Sequence, residues 1–158
     1  MSIFGKIISA IFGSNTASAA SDASALDRVI IGDDASERAH DLSAEQSQAG
    51  RFTNHAWRDA APNGAFSYVL ALPTTPKPAL VCTYWGGDRD RTFDIVANGV
   101  VVATQKLEGL QPGKAIDVAY PLPPAALTGQ QNLTVRFQGT GRGRVGGLLG
   151  LRLEPIHP

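Results

Sequence analysis

Apolar positions recur along this chain in two rhythms, and the change between them falls near residue 26. At the start, Ile3, Phe4, Ile7, Ile8, Ile11 and Phe12 follow an i, i+1, i+4, i+5 spacing that puts them on one helical face, with Ser2, Lys6, Ser9 and Ala10 mostly on the other. Residues 1–13 therefore predict a short amphipathic helix. Such a helix is marginal alone in water, so its stripe needs a cover: the main domain, a second copy of the chain, or a membrane surface. Residues 14–26, dominated by Ala and Ser with no apolar period, predict a flexible linker to a domain spanning 27–158.

From Asp27 onward the rhythm is that of short strands broken by turns. Arg28–Ile31 is a brief extended run ended by Gly32-Asp33-Asp34. The polar stretch from Ser36 to Asn54 predicts a long loop packed locally across the domain. Phe66, Tyr68, Leu70 and Leu72 alternate onto one face. Ala79–Trp85 (ALVCTYW) is apolar on both faces apart from Thr83 and predicts a central strand ended by Gly86-Gly87-Asp88. Arg91–Ala97 and Val100–Gln105 flank Asn98-Gly99, the pair suited to a two-residue type I′ hairpin turn. Ala115–Tyr120, Asn132–Gln138 and Leu148–Leu153 complete about eight strands, with no internal helix predicted. Short strands joined by turns bury their faces best as two packed antiparallel sheets. The expected fold is thus an all-β sandwich of jelly-roll type.

Composition narrows the function classes. With 14 Lys+Arg against 14 Asp+Glu in 158 residues the net charge is zero, which argues against a general nucleic-acid binder. One cysteine, Cys82, excludes an internal disulfide and a multi-thiolate zinc site. It sits mid-strand, where a small buried hydrophobe is expected rather than a nucleophile. His40 and His55, near Asp41 and Asp59, lack the spacing of a metal or acid–base pair. No cofactor, metal site or catalytic residue is predicted. No apolar run reaches the roughly 18 residues of a spanning helix. Lys6, the apolar residues 7–13 and Ala17-Ser18-Ala19 also fit a minimal export signal cleaved after Ala19, so cytoplasmic and exported locations both stay open.

Two stretches carry candidate chemistry: Trp57-Arg58-Asp59, and Trp85 with Asp88, Arg89 and Arg91. A sugar ring has an apolar C–H face that indole covers and a hydroxyl rim that Arg and Asp meet with directed hydrogen bonds. Strand ends and loops on a rigid sandwich suit such groups. The competing role is structural, with the tryptophans plugging the sandwich end and Arg58 or Arg91 paired with Asp59 or Asp94. The Arg142/Arg144 loop reads as solvated, with anion binding as the alternative.

The run Ala79 to Asp94 (ALVCTYWGGDRDRTFD), with Trp57-Arg58-Asp59 upstream and Gly146-Gly147-Leu148-Leu149-Gly150-Leu151-Arg152 downstream, resembles an accessory module. It is similar to the substrate-binding β-sandwich domain toward the C-terminus of bacterial β-L-arabinofuranosidases of glycoside hydrolase family 146 and relatives. Ser36-Glu37, Ala39-His40, Phe66-Ser67-Tyr68, Val118-x-Tyr120-Pro121 and Val135-Arg136-Phe137 agree in the same order. The resemblance implies binding of a glycan, arabinose-containing or related, without catalysis. Two departures stand out: Ala65 where the family often has an aromatic, and Gly139–Val145 where it carries His and Asn. The family's zinc-bound cysteine nucleophile, held with further cysteines, cannot be assembled from Cys82 alone. The alternative function is a structural or membrane-associated scaffold that self-associates as a homo-oligomer through the apolar stripe of residues 1–13.

Overall fold

The computed structural model describes residues 6–7, 25–74 and 77–156. Along the chain come β1 (Lys6–Ile7), β2 (Asp27–Val29), α1 (Asp34–Ala39), β3 (Ser43–Phe52), β4 (His55–Ala71) and β5 (Pro78–Trp85). They are followed by β6 (Arg91–Ala97), β7 (Val100–Leu107), β8 (Ala115–Pro121), α2 (Pro124–Leu127), β9 (Asn132–Gly139) and β10 (Val145–Pro155). These strands pair antiparallel in the order β1-β8-β5-β10-β4-β9-β6-β7, with β2 added to β10 and β3 to β4.

The expected two-layer sandwich is present. One leaf is β1-β8-β5-β10-β2 and the other is β3-β4-β9-β6-β7. β10 joins them: Val145 and Leu148 pair with Ala60 and Arg58 of β4, and Leu148 to Pro155 pair with β5. The alternating residues fill the space between leaves. Phe66, Tyr68 and Leu70, Leu80, Cys82 and Tyr84, Phe93 and Ile95, Leu133, Val135 and Phe137, and Leu151 and Leu153 belong to one buried cluster. Tyr84 of one leaf meets Phe93 of the other edge-on at 5.7 Å between ring centres. The hydroxyls of Tyr84 and Tyr120 lie 2.8 Å apart, and Tyr120 donates to Gln105 Oε1 at 2.6 Å, so the phenols are buried with partners. Cys82 is fully buried, and burial pushes its thiol up to about 12.

Asn98-Gly99 turns as predicted, with φ of 48° and 81° at the two turn positions. The Asn98 side chain also ties down two neighbours: Nδ2 donates to Ala126 O and Asn132 O, and Oδ1 accepts from Thr134 N.

The polar stretch from Ser36 to Asn54 departs from the expected loop. Its first part belongs to α1, capped by Asp33, whose Oδ1 accepts from Ala35 N and Ser36 N. Asp34 and Glu37 lie in the first turn, where acidic side chains suit the helix dipole. The rest is β3, which among the described residues is an edge strand paired only with β4 and is exposed at most positions. Burying neither face, it has no reason to show an apolar period. α2 is a second helical turn where none was predicted, begun by Pro124 at a position that loses no hydrogen bond.

At Lys6 and Ile7 the backbone is extended and pairs with Ala119 and Val118 of β8, in place of the predicted helix. The remainder of the 1–13 segment, and residues 14–24 of the linker, lie outside the described residues. Among the described residues no helix is long and apolar enough to cross a membrane.

Candidate functional site

Three segments converge at one end of the sandwich around a cavity of about 370 Å³. The β3–β4 hairpin contributes Phe52, His55, Trp57 and Asp59. The end of β5 and the loop to β6 contribute Trp85, Asp88 and Arg91, and β10 contributes Gly147 and Leu149.

Strand alternation explains this selection. His55, Trp57 and Asp59 are spaced by two along β4 and share one face, while Arg58 falls on the other. Trp85 shares a face of β5 with Thr83, opposite Tyr84 and Cys82, so the cavity opens on the side of β5 turned away from the main core. Opposite Trp57, Gly50 clears a space: a Cβ there would sit 2.5 Å from Trp57 Cζ2. Phe52 meets Trp85 edge-on at 5.4 Å and His55 lies tilted on it at 5.6 Å. The result is an aromatic wall formed by strands from both leaves, with Phe52 52% exposed at its rim.

The rest of the polar lining is charged. Asp88 Oδ2 accepts from Gly147 N at 2.8 Å, which fixes the loop after β5 against β10. Asp88 Oδ1 lies 3.8 Å from Arg91 Nη2, and Arg91 Nη1 lies 3.7 Å from Asp59 Oδ2 and donates to Val145 O at 3.3 Å. Arg144 Nη2 reaches the same Asp59 oxygen at 3.4 Å. Its backbone bridges Arg91, so the two guanidinium groups approach one carboxylate side by side. Among the described residues, Asp59 Oδ1 is buried without a hydrogen-bond partner.

Of the residues picked out from sequence, Trp57, Asp59, Trp85, Asp88 and Arg91 line the cavity. Arg58 and Arg89 do not, and the reasons are geometric. Arg58 points to the opposite face of β4, where it donates to Glu37 Oε2 at 3.3 Å and Ser47 Oγ at 3.2 Å. Arg89 is exposed, with its aliphatic stem against the backbone of Gly109. The sequence reading passed over Phe52, His55, Gly147 and Leu149. His55 was within reach of period-two counting back from Trp57 and Asp59. Phe52 follows only once Thr53-Asn54 is known to close a tight hairpin pairing Phe52 with His55. Arg144, read as part of a solvated loop, contacts the lining residue Asp59.

His40 lies far along the chain from this lining and serves as a clasp. Its Nε2 lies 3.0 Å from Asp27 Oδ1, while Asp27 Oδ2 accepts from Ala71 N at 2.8 Å. Burial alone would lower the His40 value. The hydrogen bonds to Asp27 and Ser36 O, with the Asp27 and Asp41 charges, outweigh it and hold His40 above its ordinary 6.5. Burial would likewise raise Asp27, but hydrogen bonds from Ala71 N, His40 and Arg28 N hold it below the ordinary carboxylate value. Among the described residues no group of three or more His, Cys, Asp or Glu side chains is placed to hold a metal ion.

Comparison with known proteins follows this geometry. Residues 20–154 match the model of DUF6805, a family of unknown function, and the chain belongs to that family. No curated protein matches it. Among solved structures it is similar to a family 35 carbohydrate-binding module from Clostridium thermocellum, with a TM-score of 0.55 and 14% identity over 82% of this chain and 98% of that one. A family 35 carbohydrate-binding module from an environmental isolate aligns at a TM-score of 0.55 and 12% identity, over 77% of this chain and 96% of that one. An exo-β-1,3-galactanase from Phanerochaete chrysosporium aligns at a TM-score of 0.51 and 10% identity, over 74% of this chain and 28% of that one. At these identities the likeness is one of fold: an all-β sandwich of the carbohydrate-binding-module kind.

Proposed function

We propose that this chain is a non-catalytic carbohydrate-binding module that takes an arabinose-containing or related plant glycan in the cavity lined by Trp57, Trp85, Asp59, Asp88 and Arg91. The observation that carries the reading is the presence together, in the lining of one cavity of about 370 Å³, of aromatic rings with carboxylate and guanidinium groups. A pyranose or furanose ring offers a C–H face to the first and a hydroxyl rim to the second. The likeness in fold to carbohydrate-binding modules supports it, as does the resemblance in sequence to the accessory domain of β-L-arabinofuranosidases. The likeness in fold to stand-alone binding modules supports holding a ligand rather than cleaving it.

The test is a glycan array and titration of intrinsic tryptophan fluorescence with arabino-oligosaccharides. The wild type should bind and show a change in emission. Trp85→Ala should weaken binding about tenfold or more through loss of the stacking surface, while Arg89→Ala should bind as the wild type does. A wild-type protein that binds no glycan overturns the proposal.

A further inference from the structure

We infer that Asp59 makes this cavity selective for a neutral sugar, one that donates a hydroxyl hydrogen bond to the Asp59 carboxylate, and that it disfavours acidic sugars. The inference rests on the carbohydrate reading above and names the ligand class within it.

The starting point is an acceptor that the protein leaves unused. Asp59 is only 8% exposed, and its Oδ1 has no hydrogen-bond partner. Its Oδ2 fares little better, because Arg91 and Arg144 approach it only to 3.7 Å and 3.4 Å. Charge-assisted N–H···O contacts ordinarily close to about 2.7–2.9 Å. An ionised carboxylate has room for roughly four hydrogen bonds, and leaving a buried one this poorly met costs free energy. A ligand hydroxyl beside the indole rings supplies the missing donor. Both guanidinium contacts to Oδ2 are long, so a hydroxyl can be added to this carboxylate without breaking a short one.

Charge selects the ligand class. Two carboxylates, Asp59 and Asp88, stand against two guanidinium groups, Arg91 and Arg144. Arg91 is shared between both carboxylates and Val145 O, and Arg144 is drawn to Asp59. No positive charge in this set is left over for an anion. A uronate carboxylate placed at Asp59 would meet a like charge and add an acceptor where the cavity lacks donors. A neutral ring brings only hydroxyls, each able to donate.

The test compares L-arabinose, D-galactose and D-xylose, free and as oligosaccharides, with D-galacturonate and D-glucuronate, using the full chain and tryptophan fluorescence. D-galactose and D-galacturonate share a ring and differ only at C6. A neutral sugar should bind at least tenfold tighter than either uronate. Asp59→Asn, which keeps the side-chain shape but removes the charge and one acceptor, should lose about tenfold in affinity for that sugar with its thermal unfolding little changed. The inference is overturned if a uronate binds as tightly as the best neutral sugar, or if Asp59→Asn binds like the wild type while Trp85→Ala does not. Should Asp59→Asn fail to fold, the comparison of neutral and acidic sugars on the wild type decides alone. If no sugar binds, the carbohydrate reading falls and takes this inference with it.

Discussion

The outward face of β5 carries two carboxylate–guanidinium clusters, built from the same chemical groups and held to different standards. At Thr83, Arg152 Nη2 donates to Asp117 Oδ2 at 2.8 Å, Arg152 Nε to Glu154 Oε2 at 2.5 Å, and Thr83 Oγ1 to Asp117 Oδ1 at 2.5 Å. Asp117 and Arg152 are each 5% exposed. Two residues further along the strand, beside Trp85, the Asp59–Arg91–Arg144–Asp88 cluster has ion-pair distances of 3.4 to 3.8 Å and an unpartnered oxygen. The Thr83 cluster satisfies its charges within the protein, which is what a buried charge requires. The cluster beside Trp85 does so only in part, and its Asp59, Asp88 and Arg91 line a cavity. Distance and saturation, more than residue type, separate a structural ion pair from a candidate site.

That contrast breaks most visibly at the tight cluster. Asp117→Ala leaves the buried Arg152 with Glu154 as its remaining carboxylate and should cost about 3 kcal/mol of stability, read by urea unfolding. Asp59→Asn removes only long contacts and an unmet acceptor, and should change stability by no more than about 1 kcal/mol. Equal losses at the two positions would erase the distinction.

Gly50 tests the aromatic wall without touching any charge. Gly50→Ala pushes a methyl group into the Trp57 ring, which must move or strain its neighbours. Overpacking of this kind costs about 1–3 kcal/mol. Glycan affinity should fall with it, while the fluorescence of the unliganded protein shifts as the indole is displaced.

The smallest effect belongs to the Asp27–His40 clasp, a third ion pair that pH loosens without mutation. His40 is held above 6.5, so its contribution is fully present below that value and is lost as pH rises through its folded value. Asp27 is held below its ordinary 3.8, so its contribution is present above that value and is lost as pH falls through the folded one. The difference in stability between wild type and His40→Ala should therefore narrow as pH is raised from 6 toward 9, by less than about 1 kcal/mol. Thermal melts across that range check the sign.

The strands that bury one face were legible because burial imposes a period of two, as at Phe66, Tyr68 and Leu70, or at Leu133, Val135 and Phe137. The strand that buries neither face was not: nothing in Ser43–Phe52 distinguishes an exposed edge strand from a loop. The candidate site divides in the same way. Trp57, Asp59, Trp85, Asp88 and Arg91 were found as aromatic and charged residues at strand ends. Arg58 and Arg89 were drawn in by adjacency, although neighbours on an extended strand face opposite ways and a loop residue faces wherever its loop packs.

By itself the amino-acid sequence determined an all-β sandwich, its inward-facing residues, the Asn98-Gly99 turn and the two tryptophan-bearing stretches, because alternation and turn chemistry are local properties of a chain. Only the tertiary structure decided that Phe52 and His55 lean on Trp85 and that Arg144 shares Asp59 with Arg91. It alone set Arg58 against Glu37 and left one Asp59 oxygen unpartnered. Those outcomes depend on how segments distant in sequence meet, and hydrogen-bond saturation is a property of the meeting rather than of any one residue.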